Sequence, residues 1–600
     1  MPEPIVIESD TNIGDVEHHF RVFAGPGAGK TFWLINHIKN VVRNSKRLSS
    51  TSYIACISYT NVAVNEIVDR LGPFAEHVES STIHSFLYRN VVKPYLHLMR
   101  NDNGDPLVDY VNVDGHDEHR PTDGKIRNWL RSVNAHFDFY GNKSKVYEYV
   151  KKLKWFRDSM DGSWSLKTLT FAQTPRYFPT TSLNTYKMFY WEDGVIDHED
   201  VLYFAYRLLE ENPIIRIHLS SRFPYVFVDE FQDTNPVQTQ VVKWLASEGT
   251  VVGAIGDVEQ SIYSFQGARY QDFLEFDLDG CIDYKIENNR RSTDSIIRLL
   301  NHVRTDDIRQ TGIRQIEGDS ITVYGGNIGD VISAIRSRLL ENQILTIVAR
   351  NNDEVNSIRK SKYVQSEDLW NKLEEIDLDR SRFLEYVVSA VEMARKGDYS
   401  VALKRLTQGL RIKRRNGEIR KPFKTKQGCR IGNVGDIHRR ALAVTLLEFL
   451  VTDYVCMIGG TVFEAYQKIS NRVNKTIDWL SLTDIRGGRF QDFAESTPYS
   501  DLINSVSLSS DETRTIRTIH QAKGTQFKNL LVSLNHKYPG KAQTQLGYIL
   551  NPTSSADSEE KRIIYVALSR AEDRLFLCLP HLSNEEITQL EILGIEVIVL

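Results

Sequence analysis

The chain has 600 residues, of which 41% are hydrophobic, 25% charged and 10% aromatic. Its length exceeds what one hydrophobic core usually organises, so a single compact domain is excluded and about four domains are expected. The composition is that of a protein that folds in water. The 74 basic and 78 acidic side chains leave a formal net charge of −4, which by itself indicates no polyanionic partner.

The apolar and cysteine patterns bear on location. No stretch reaches the roughly 20 apolar residues that cross a bilayer, and residues 1–14 have neither a basic start nor an apolar core. We therefore expect no membrane partner, no signal peptide and a cytoplasmic location. The five cysteines lie far apart and form no Cys-x-x-Cys pair, so reduced, mostly buried thiols are expected rather than a zinc site or a disulfide framework.

A glycine-rich loop follows the first predicted strand, residues 20–23, and leads into a helix with apolar periodicity. Backbone N–H groups of such a loop turn toward phosphate oxygens at a helix N-terminus. Lys30 would reach the β- and γ-phosphates, and the Thr31 hydroxyl would bind Mg²⁺. The loop residues predicted to bind nucleotide are Gly25, Pro26, Gly27, Ala28, Gly29, Lys30 and Thr31.

A pair of carboxylates follows a second buried-strand pattern about 200 residues later. The apolar run 225–228 ends at Asp229 and Glu230. Asp229 would hold Mg²⁺ through its hydration shell, and Glu230 would act as general base on the attacking water. In a minimal nucleotide-binding domain with such a phosphate-binding loop (P-loop), far fewer residues separate the loop from the carboxylate pair. An insert of roughly 100 residues is therefore expected between them.

Several further strings occur in a fixed order along the chain. They are Ser-Tyr-Thr-Asn at 58–61, Thr-Ile-His-Ser-Phe at 82–86, Asp-Glu-Phe-Gln-Asp-Thr at 229–234, Gly-Asp-Val-Glu-Gln-Ser-Ile-Tyr-Ser-Phe at 256–265, Asn-Arg-Arg-Ser-Thr at 289–293, Thr-Ile-His-Gln-Ala-Lys-Gly-Thr-Gln-Phe at 518–527 and Tyr-Val-Ala-Leu-Ser-Arg-Ala at 565–571. Together they resemble the motifs of the superfamily 1A DNA helicases of the UvrD, Rep and PcrA type, in that family's order.

The resemblance implies an α/β fold in which two RecA-like P-loop lobes with parallel sheets bind ATP between them. Each lobe would carry a largely helical insert. The implied segments are 1–90 and 197–283 for the first lobe, 91–196 for its insert, 284–362 and 513–600 for the second lobe, and 363–512 for a diverged insert.

The second insert contains a basic segment. Residues 404–440 contain thirteen Lys and Arg residues but only two acidic residues, Glu418 and Asp436. Three interpretations stay open: contact with duplex DNA ahead of a fork, contact with a partner protein, or a solvated helix face. The other insert is rich in aromatic residues, which core packing suffices to explain.

The resemblance also assigns catalytic roles. Gln260 would sense the γ-phosphate from the first lobe, and Arg291 and Arg570 would be arginine fingers from the second lobe. Such cations can supply factors of about 10³ to 10⁵ in rate, and their place on the opposite lobe would tie hydrolysis to cleft closure. A surface ion pair is the alternative for each arginine.

By the same resemblance, single-stranded DNA would cross the tops of both lobes. Predicted DNA-binding residues are Thr60, Asn61, His84 and His520, with Phe86, Tyr263 and Phe265 as stacking or wall positions. Core packing is the alternative for each aromatic, above all for Phe86. Stacking and backbone contacts carry little sequence information, so no base-specific recognition is expected.

Four departures from the family pattern concern nucleotide recognition and the coupling of DNA-strand binding to hydrolysis. Arg290 stands where the family has an aromatic beside adenine, and Gln526 replaces a glutamate near the ribose; both remain predicted nucleotide-binding residues. No adenine-reading glutamine precedes the loop, and Phe265-Gln266 replaces a Trp-Arg pair. The sequence thus predicts altered nucleotide recognition with intact catalytic groups.

The implied function is an ATP-dependent, Mg²⁺-requiring translocase or helicase that moves 3′ to 5′ on single-stranded DNA or a tailed duplex. A rival is a DNA- or nucleotide-sensing ATPase that regulates a partner nuclease, as in antiphage systems of the Gabija type. A P-loop GTPase or kinase is disfavoured, because neither class explains Gln260, Arg291 and Arg570 in this order.

Overall fold

A computed structural model describes residues 3–101, 103–116, 119, 121–158, 160–168, 178–340, 343–360, 369–395, 399–410, 412, 419, 421–425, 436–505, 515–534, 539–555 and 558–600. The chain forms two compact units, one made of Met1–Glu354 with Arg517–Leu600 and the other of Val355–Ile516. Among the described residues no helix is both long and apolar enough to cross a membrane.

The strands are, in chain order, β1 (Ile5–Val6), β2 (Phe20–Ala24), β3 (Ile54–Ser58), β4 (Val78–Thr82), β5 (Leu153–Arg157), β6 (Trp164–Thr168), β7 (Tyr225–Val228), β8 (Val251–Gly256), β9 (Ile282–Ile286), β10 (Asn288–Asn289), β11 (Thr311–Gly312), β12 (Thr322–Gly325), β13 (Leu345–Ala349), β14 (Phe423–Thr425), β15 (Leu480–Leu482), β16 (Ile516–Thr518), β17 (Phe527–Ser533), β18 (Ala571–Leu579) and β19 (Glu596–Val599).

The α-helices before residue 361 are α1 (Lys30–Asn44), α2 (Asn61–Leu71), α3 (Ile83–Leu87), α4 (Lys93–Tyr95), α5 (Asp123–Ser132), α6 (Lys143–Lys151), α7 (Leu183–Trp191), α8 (His198–Glu211), α9 (Pro213–Arg222), α10 (Pro236–Ser247), α11 (Tyr270–Leu274), α12 (Asp294–Val303), α13 (Ile328–Arg338) and α14 (Asn352–Lys360). The later ones are α15 (Leu369–Ile376), α16 (Leu378–Arg395), α17 (Tyr399–Gly409), α18 (Asp436–Thr452), α19 (Tyr454–Ile458), α20 (Val462–Thr476), α21 (Arg489–Ser496), α22 (Tyr499–Ser505), α23 (Ile519–Ala522), α24 (Pro539–Leu550), α25 (Glu559–Leu568) and α26 (Asn584–Ile592).

The first unit contains two large sheets, which confirms the predicted α/β class with parallel sheets. We call each sheet with its helices a lobe. The first lobe has the strand order β1-β9-β2-β8-β7-β3-β4, with parallel neighbours throughout. The second has the order β16-β13-β17-β18-β12-β19, and β13, β17, β18, β12 and β19 pair in parallel.

Both faces of the first sheet are covered, as a parallel sheet requires. Successive side chains of β7 point to opposite faces: Tyr225 and Phe227 pack with Trp33 and Leu34 of α1, whereas Val226 and Val228 join a cluster with residues of α8 and α10. The P-loop, Asp229 and residues 257–260 follow the carboxyl ends of β2, β7 and β8, which are neighbours in the sheet. These groups therefore meet at one edge.

The aromatic residues of the first predicted insert form core. Trp155 of β5 stacks on Tyr203 of α8 with ring centroids 4.0 Å apart, and Trp191 lies 6.0 Å from Trp155 in a second stacked pair. Trp155 and Trp191 are buried. Core packing is therefore confirmed for these rings.

The second unit is mainly helical, with a two-stranded antiparallel sheet of β14 and β15. Its core joins side chains of α16, α18 and α20. The predicted insert 363–512 lies inside this unit. Of the basic segment, Arg411, Lys413, Arg414, Arg415, Arg420, Lys426 and Arg430 lie outside the described residues.

The cysteines differ in burial. Within the described part of the chain, Cys56 and Cys578 are buried, Cys281 is half-buried, Cys456 is exposed, and all four are free thiols. The expectation of mostly buried thiols thus holds for two of these four.

Candidate nucleotide cleft and strand-facing surface

The glycine-rich loop turns between β2 and α1. Gly27 and Gly29 have φ angles of 73° and 85°, in the region that glycine adopts without strain. Lys30 is the first residue of α1, and its Nζ donates to the Ala24 carbonyl at 3.3 Å. Thr31 follows it in the first turn. An ammonium, a hydroxyl and a helix N-terminus therefore meet at one point, the set that suits a nucleotide phosphate and Mg²⁺.

The second lobe lies against this loop. Asn289 Nδ2 and Gln310 Nε2 donate to the Pro26 carbonyl at 3.1 and 2.8 Å. A Cβ on Gly25 would lie 2.2 Å from Gln310 Nε2, so a larger residue there would displace the Gln310 side chain. Ala28 is fully buried. The loop is thus bounded by the lobe that carries the predicted arginine fingers.

Asp229 and Glu230 follow directly on β7. The Asp229 N–H donates to the Ile57 carbonyl at 2.8 Å, which fixes its backbone to β3. Glu230 has a φ of 55°, an uncommon conformation for a residue other than glycine that is found at functional sites. Its Oε1 lies 3.9 Å from Lys30 Nζ, so the predicted base faces the phosphate-binding lysine.

The two carboxyl groups differ in protonation. Burial raises the pKa of Asp229 to about 7, and the neighbouring Glu230 adds to the rise. Burial also raises the pKa of Glu230, but the positive charges of Lys30 and Lys523 oppose this effect and outweigh it. The pKa of Glu230 is therefore lowered to about 2. Glu230 is therefore ionised at neutral pH and can accept a proton. A divalent cation would favour the ionised form of Asp229, whose hard oxygen, with that of Thr31, suits Mg²⁺.

Gln260 connects the two lobes. It ends the short turn Val258–Gln260 after β8, and its Nε2 donates to Asp257 Oδ2 at 2.7 Å. Its Oε1 accepts from Arg570 Nη2, also at 2.7 Å. Burial, then the charge of Arg291, lowers the pKa of Arg570 to about 9. Arg570 therefore stays cationic at neutral pH.

Arg291 holds Gln526. Its Nε donates to Gln526 Oε1 at 3.0 Å, and its Nη1 donates to the Ser569 carbonyl at 3.0 Å. Burial lowers its pKa. The structure thus brings Arg291, Arg570 and Gln526 together beside the first-lobe groups.

Arg290 lies at the outer side of the loop. Its N–H donates to the Gly27 carbonyl at 2.9 Å, and its exposed side chain donates from Nε to Ser9 Oγ at 2.9 Å. The backbone of Arg290 therefore borders the loop while its guanidinium bonds to Ser9, and its nucleotide-binding role stays a prediction.

Lys523 was not singled out as a site residue, although it lies in one of the motif strings. Its Nζ forms an ion pair with Asp233, donates to the Gln260 carbonyl at 2.7 Å and lies 4.7 Å from the centroid of the Tyr263 ring. Burial raises the pKa of Asp233 to about 6, against the opposing charge of Lys523. Lys523 therefore contacts both Gln260, the predicted γ-phosphate sensor, and the Tyr263 ring.

The predicted DNA-binding residues Phe265, His520, Thr60 and Asn61 belong to a surface that we call the strand-facing surface. Phe265 is 44% exposed and packs edge-on against His520, with ring centroids 5.4 Å apart. His520 Nε2 lies 3.3 Å from the Ile262 carbonyl, and burial lowers its pKa. Thr60 and Asn61 are exposed at the start of α2, where the Thr60 hydroxyl accepts the Ala63 N–H at 3.2 Å.

Tyr263 is a buried ring in the core of the second lobe rather than an open stacking surface. It is 9% exposed and stacks on Tyr59 with centroids 4.6 Å apart. The Tyr59 hydroxyl donates to Gln266 Oε1 at 2.5 Å. Tyr59 lies inside a motif string, so its position in the sequence was the signal that could have identified it.

Phe86 was wrongly predicted as a stacking or wall residue. Its side chain is fully buried and packs against Phe223 with centroids 5.1 Å apart. His84 is half-buried beside His198. Burial, followed by the charges of His198 and His116, lowers the pKa of His84 to about 3, so at neutral pH it can offer DNA a hydrogen bond but no positive charge.

The fold and the cleft define a two-lobed protein with a glycine-rich P-loop at the contact between the lobes. Residues 8–280 match the UvrD/REP helicase N-terminal domain, and residues 284–581 match the UvrD-like helicase C-terminal domain. The chain belongs to the UvrD/Rep helicase family.

Three relatives illustrate the range of similarity. The Gabija protein GajB of Bacillus cereus is 25% identical over 54% of this chain and 52% of its own length. The ATP-dependent DNA helicase PcrA of Staphylococcus aureus is 28% identical over 49% and 39%, and the ATP-dependent DNA helicase Rep of Buchnera aphidicola is 26% identical over 48% and 43%. The chain thus spans about half or less of the length of these relatives.

Proposed function

We propose that this chain is an ATP-dependent motor on single-stranded DNA that translocates 3′ to 5′ and opens tailed duplexes. The observation that carries the proposal is the contact of Gln260, next to the P-loop edge of the first lobe, with Arg570 of the second lobe at 2.7 Å. The same segment continues to the exposed Phe265. One loop therefore links the nucleotide cleft to the strand-facing surface.

Each cleft residue has a chemical task in this proposal. Mg²⁺ with ATP would supply a polarised phosphoryl group, held by the P-loop, Thr31 and Asp229. Glu230 accepts the proton of the attacking water, because its pKa of about 2 keeps it ionised. Arg291 and Arg570 stabilise the charge that develops on the transferring phosphoryl oxygens. Gln260 reports the state of the cleft to Arg570.

The strand-facing surface would hold DNA without reading its sequence. Phe265 offers a ring on which a base can stack, and Thr60 and Asn61 offer polar groups to the backbone. Stacking of this kind tolerates any base. Cleft opening and closing would then move this surface along the strand, while Lys523, which contacts the Gln260 carbonyl, transmits the change.

Steady-state ATP hydrolysis by the purified chain, with and without single-stranded DNA, tests the motor proposal. Lys30→Ala, which removes the phosphate-binding ammonium, is the blank. We expect hydrolysis that DNA stimulates and that the variant lacks. Directional unwinding of duplexes with a 3′ or a 5′ tail then tests polarity, and faster opening of the 5′-tailed substrate would contradict 3′ to 5′ movement.

A second candidate is an ATPase that senses DNA or nucleotide and regulates a partner nuclease in antiphage defence. The similarity to the Gabija protein GajB over 54% of this chain favours it. On this proposal, ATP and DNA bind but the chain alone opens tailed duplexes poorly. A nuclease that co-purifies with the chain, and whose cleavage rate changes with ATP, would support it.

A further inference from the structure

Arg304 is a buried guanidinium to which the motor proposal assigns no task. It follows the last residue of α12 in the second lobe, and its side chain has no exposed area. Its Nε donates to Asp306 Oδ1 at 2.8 Å, its Nη1 donates to the Tyr565 hydroxyl at 2.9 Å, and its Nη2 pairs with Asp306 at 2.5 Å. The remaining partner belongs to the other lobe.

That partner is Asp257, which follows β8 of the first lobe. Arg304 Nη2 lies 2.9 Å from its Oδ1 and Nη1 lies 3.2 Å from its Oδ2, a bidentate pair. Neither side chain of the pair has exposed area. A buried carboxylate without its counter-ion is strongly disfavoured, so the burial of Asp257 depends on a cation from the opposite lobe.

Asp257 in turn orients the γ-phosphate sensor. Its Oδ2 accepts from Gln260 Nε2 at 2.7 Å, and its Oδ1 accepts the Glu259 N–H at 3.2 Å. Because the amide nitrogen of Gln260 faces Asp257, the amide oxygen faces Arg570. An unbroken chain of polar contacts thus runs from Arg304 through Asp257 and Gln260 to Arg570.

A neighbouring pair clamps the same turn. Lys561 Nζ lies 3.4 Å from Glu259 Oε1, and both side chains are buried. The Thr305 hydroxyl donates to the same oxygen at 3.0 Å. The second lobe therefore contacts this segment at two places: at Asp257, which precedes the turn Val258–Gln260, and at Glu259 within the turn.

We infer that Arg304 is a positioning residue for ATP hydrolysis: it holds Asp257 across the cleft, so that Gln260 presents its amide oxygen to Arg570 only when the lobes meet. The inference rests on the proposed ATPase function. It makes the Arg304–Asp257 pair the element that reports lobe closure, next to Gly25 of the glycine-rich loop.

Arg304→Gln tests this assignment, with Arg298→Gln as the matched control. Arg298 lies on α12 as well, in an exposed pair with Glu317. We expect kcat of Arg304→Gln to fall about 10²-fold, because a small misplacement of catalytic groups costs that much, while KM for ATP changes by less than about threefold. Arg304→Lys keeps the charge without the fork and should recover part of the loss. Equal kcat and KM in Arg304→Gln and the control would overturn the assignment.

A double-mutant cycle distinguishes a positioning role of Arg304 from a general disruption of the folded structure. If Arg304 acts through Asp257, the variant with both Arg304→Gln and Asp257→Asn should be no slower than the slower single variant, since coupled residues are not additive. Losses in kcat that multiply would mean that the two residues act independently, which contradicts the inference.

Hydrogen exchange supplies a readout that needs no hydrolysis. Arg304→Gln should accelerate amide exchange in the peptide that spans 257–262, and Arg298→Gln should not. If the wild-type chain hydrolyses no ATP, the proposed function fails, yet this measurement still decides the contact. Unchanged exchange in 257–262, or acceleration spread evenly over both lobes, would overturn the inference.

Discussion

The predicted nucleotide cleft and the predicted strand-facing surface differ in how many hydrogen bonds their side chains make within the protein. In the cleft, Gln260 and Arg570 are 3% and 2% exposed and bond to each other. On the strand-facing surface, Phe265 is 44% exposed, and Thr60 and Asn61 face solvent. The cleft is organised in advance around one geometry, which suits a single reaction. The surface leaves contacts to be made by a ligand, which suits a strand of varying sequence.

The largest expected effect lies in the cleft. Arg570→Ala removes the buried cation that contacts Gln260, so kcat for ATP should fall about 10³- to 10⁵-fold, as for other arginine fingers. Affinity for ATP should fall much less, because the P-loop is untouched. Single-turnover hydrolysis and equilibrium binding of a nucleotide analogue measure the two quantities.

Arg574→Ala is the matched control for Arg570→Ala. Arg574 lies on β18, close in sequence to Arg570, and pairs with Asp319 at the surface, where such pairs contribute little. Hydrolysis by Arg570→Ala at the rate of Arg574→Ala would refute the arginine-finger role.

Glu230→Gln should lower kcat about 10²- to 10⁴-fold, the range of a lost general base. The amide keeps the shape of the side chain but accepts no proton from water. ATP should still bind, which filter binding can measure. Glu248→Gln, at a surface pair with Arg216, is the control. Turnover at the wild-type rate would show that another group accepts the proton.

Phe265→Ala tests whether the strand-facing surface binds DNA. Loss of one stacked base is worth about 1 to 3 kcal/mol, or about 5- to 150-fold in affinity for single-stranded DNA. Fluorescence anisotropy with a labelled oligonucleotide measures this affinity. Wild-type affinity would place DNA elsewhere on the molecule.

Phe86→Leu is the counterpart of Phe265→Ala among aromatics predicted to stack. Because Phe86 is fully buried, the substitution should lower the melting temperature while leaving DNA affinity unchanged. A melting temperature that falls for Phe265→Ala and not for Phe86→Leu would reverse the assigned roles.

The smallest expected effect concerns pH. The pKa of Asp233 is about 6, so above pH 6 it is ionised and pairs with Lys523, and below pH 6 it is increasingly protonated and the pair is lost. DNA-stimulated hydrolysis should fall up to about tenfold between pH 7 and pH 5, in proportion to the ionised fraction. The charged or titratable groups around Asp233 are Lys523, Glu230, Lys30, Tyr263 and Tyr59.

Asp233→Asn should remove this acid limb, since an amide does not titrate. Glu230 cannot produce the limb, because its pKa of about 2 lies far below it, and bound Mg²⁺ would keep Asp229 ionised over this range. A pH profile that is identical in wild type and Asp233→Asn would assign the limb to another group.

The sequence predicted what local pattern controls. Asp229 and Glu230 directly follow a strand pattern, and Lys30 and Thr31 follow the glycine-rich loop at the start of a helix, so all four places could be predicted from the neighbouring residues. The parallel sheets and the aromatic core of the first insert were likewise predictable.

Other features depend on residues that are distant in the chain. Phe86 was misassigned because its burial is decided by Phe223, 137 positions later. The pair of Arg304 with Asp257 spans 47 positions, and no local pattern distinguishes a buried arginine from an exposed one. The sequence therefore located the chemical groups of the cleft better than the contacts that hold them.

The strand order of the first lobe also bears on how the chain is made. Ile5 of β1 pairs with Tyr284 of β9, and β9 lies between β1 and β2 in the sheet. A ribosome must therefore deliver nearly half of the polypeptide before this sheet can close, and until then β2 presents an unpaired edge. Non-local pairing of this kind is slow and exposes aggregation-prone surface. Assembly of the first lobe should thus depend on the pace of translation and on chaperones that cover that edge.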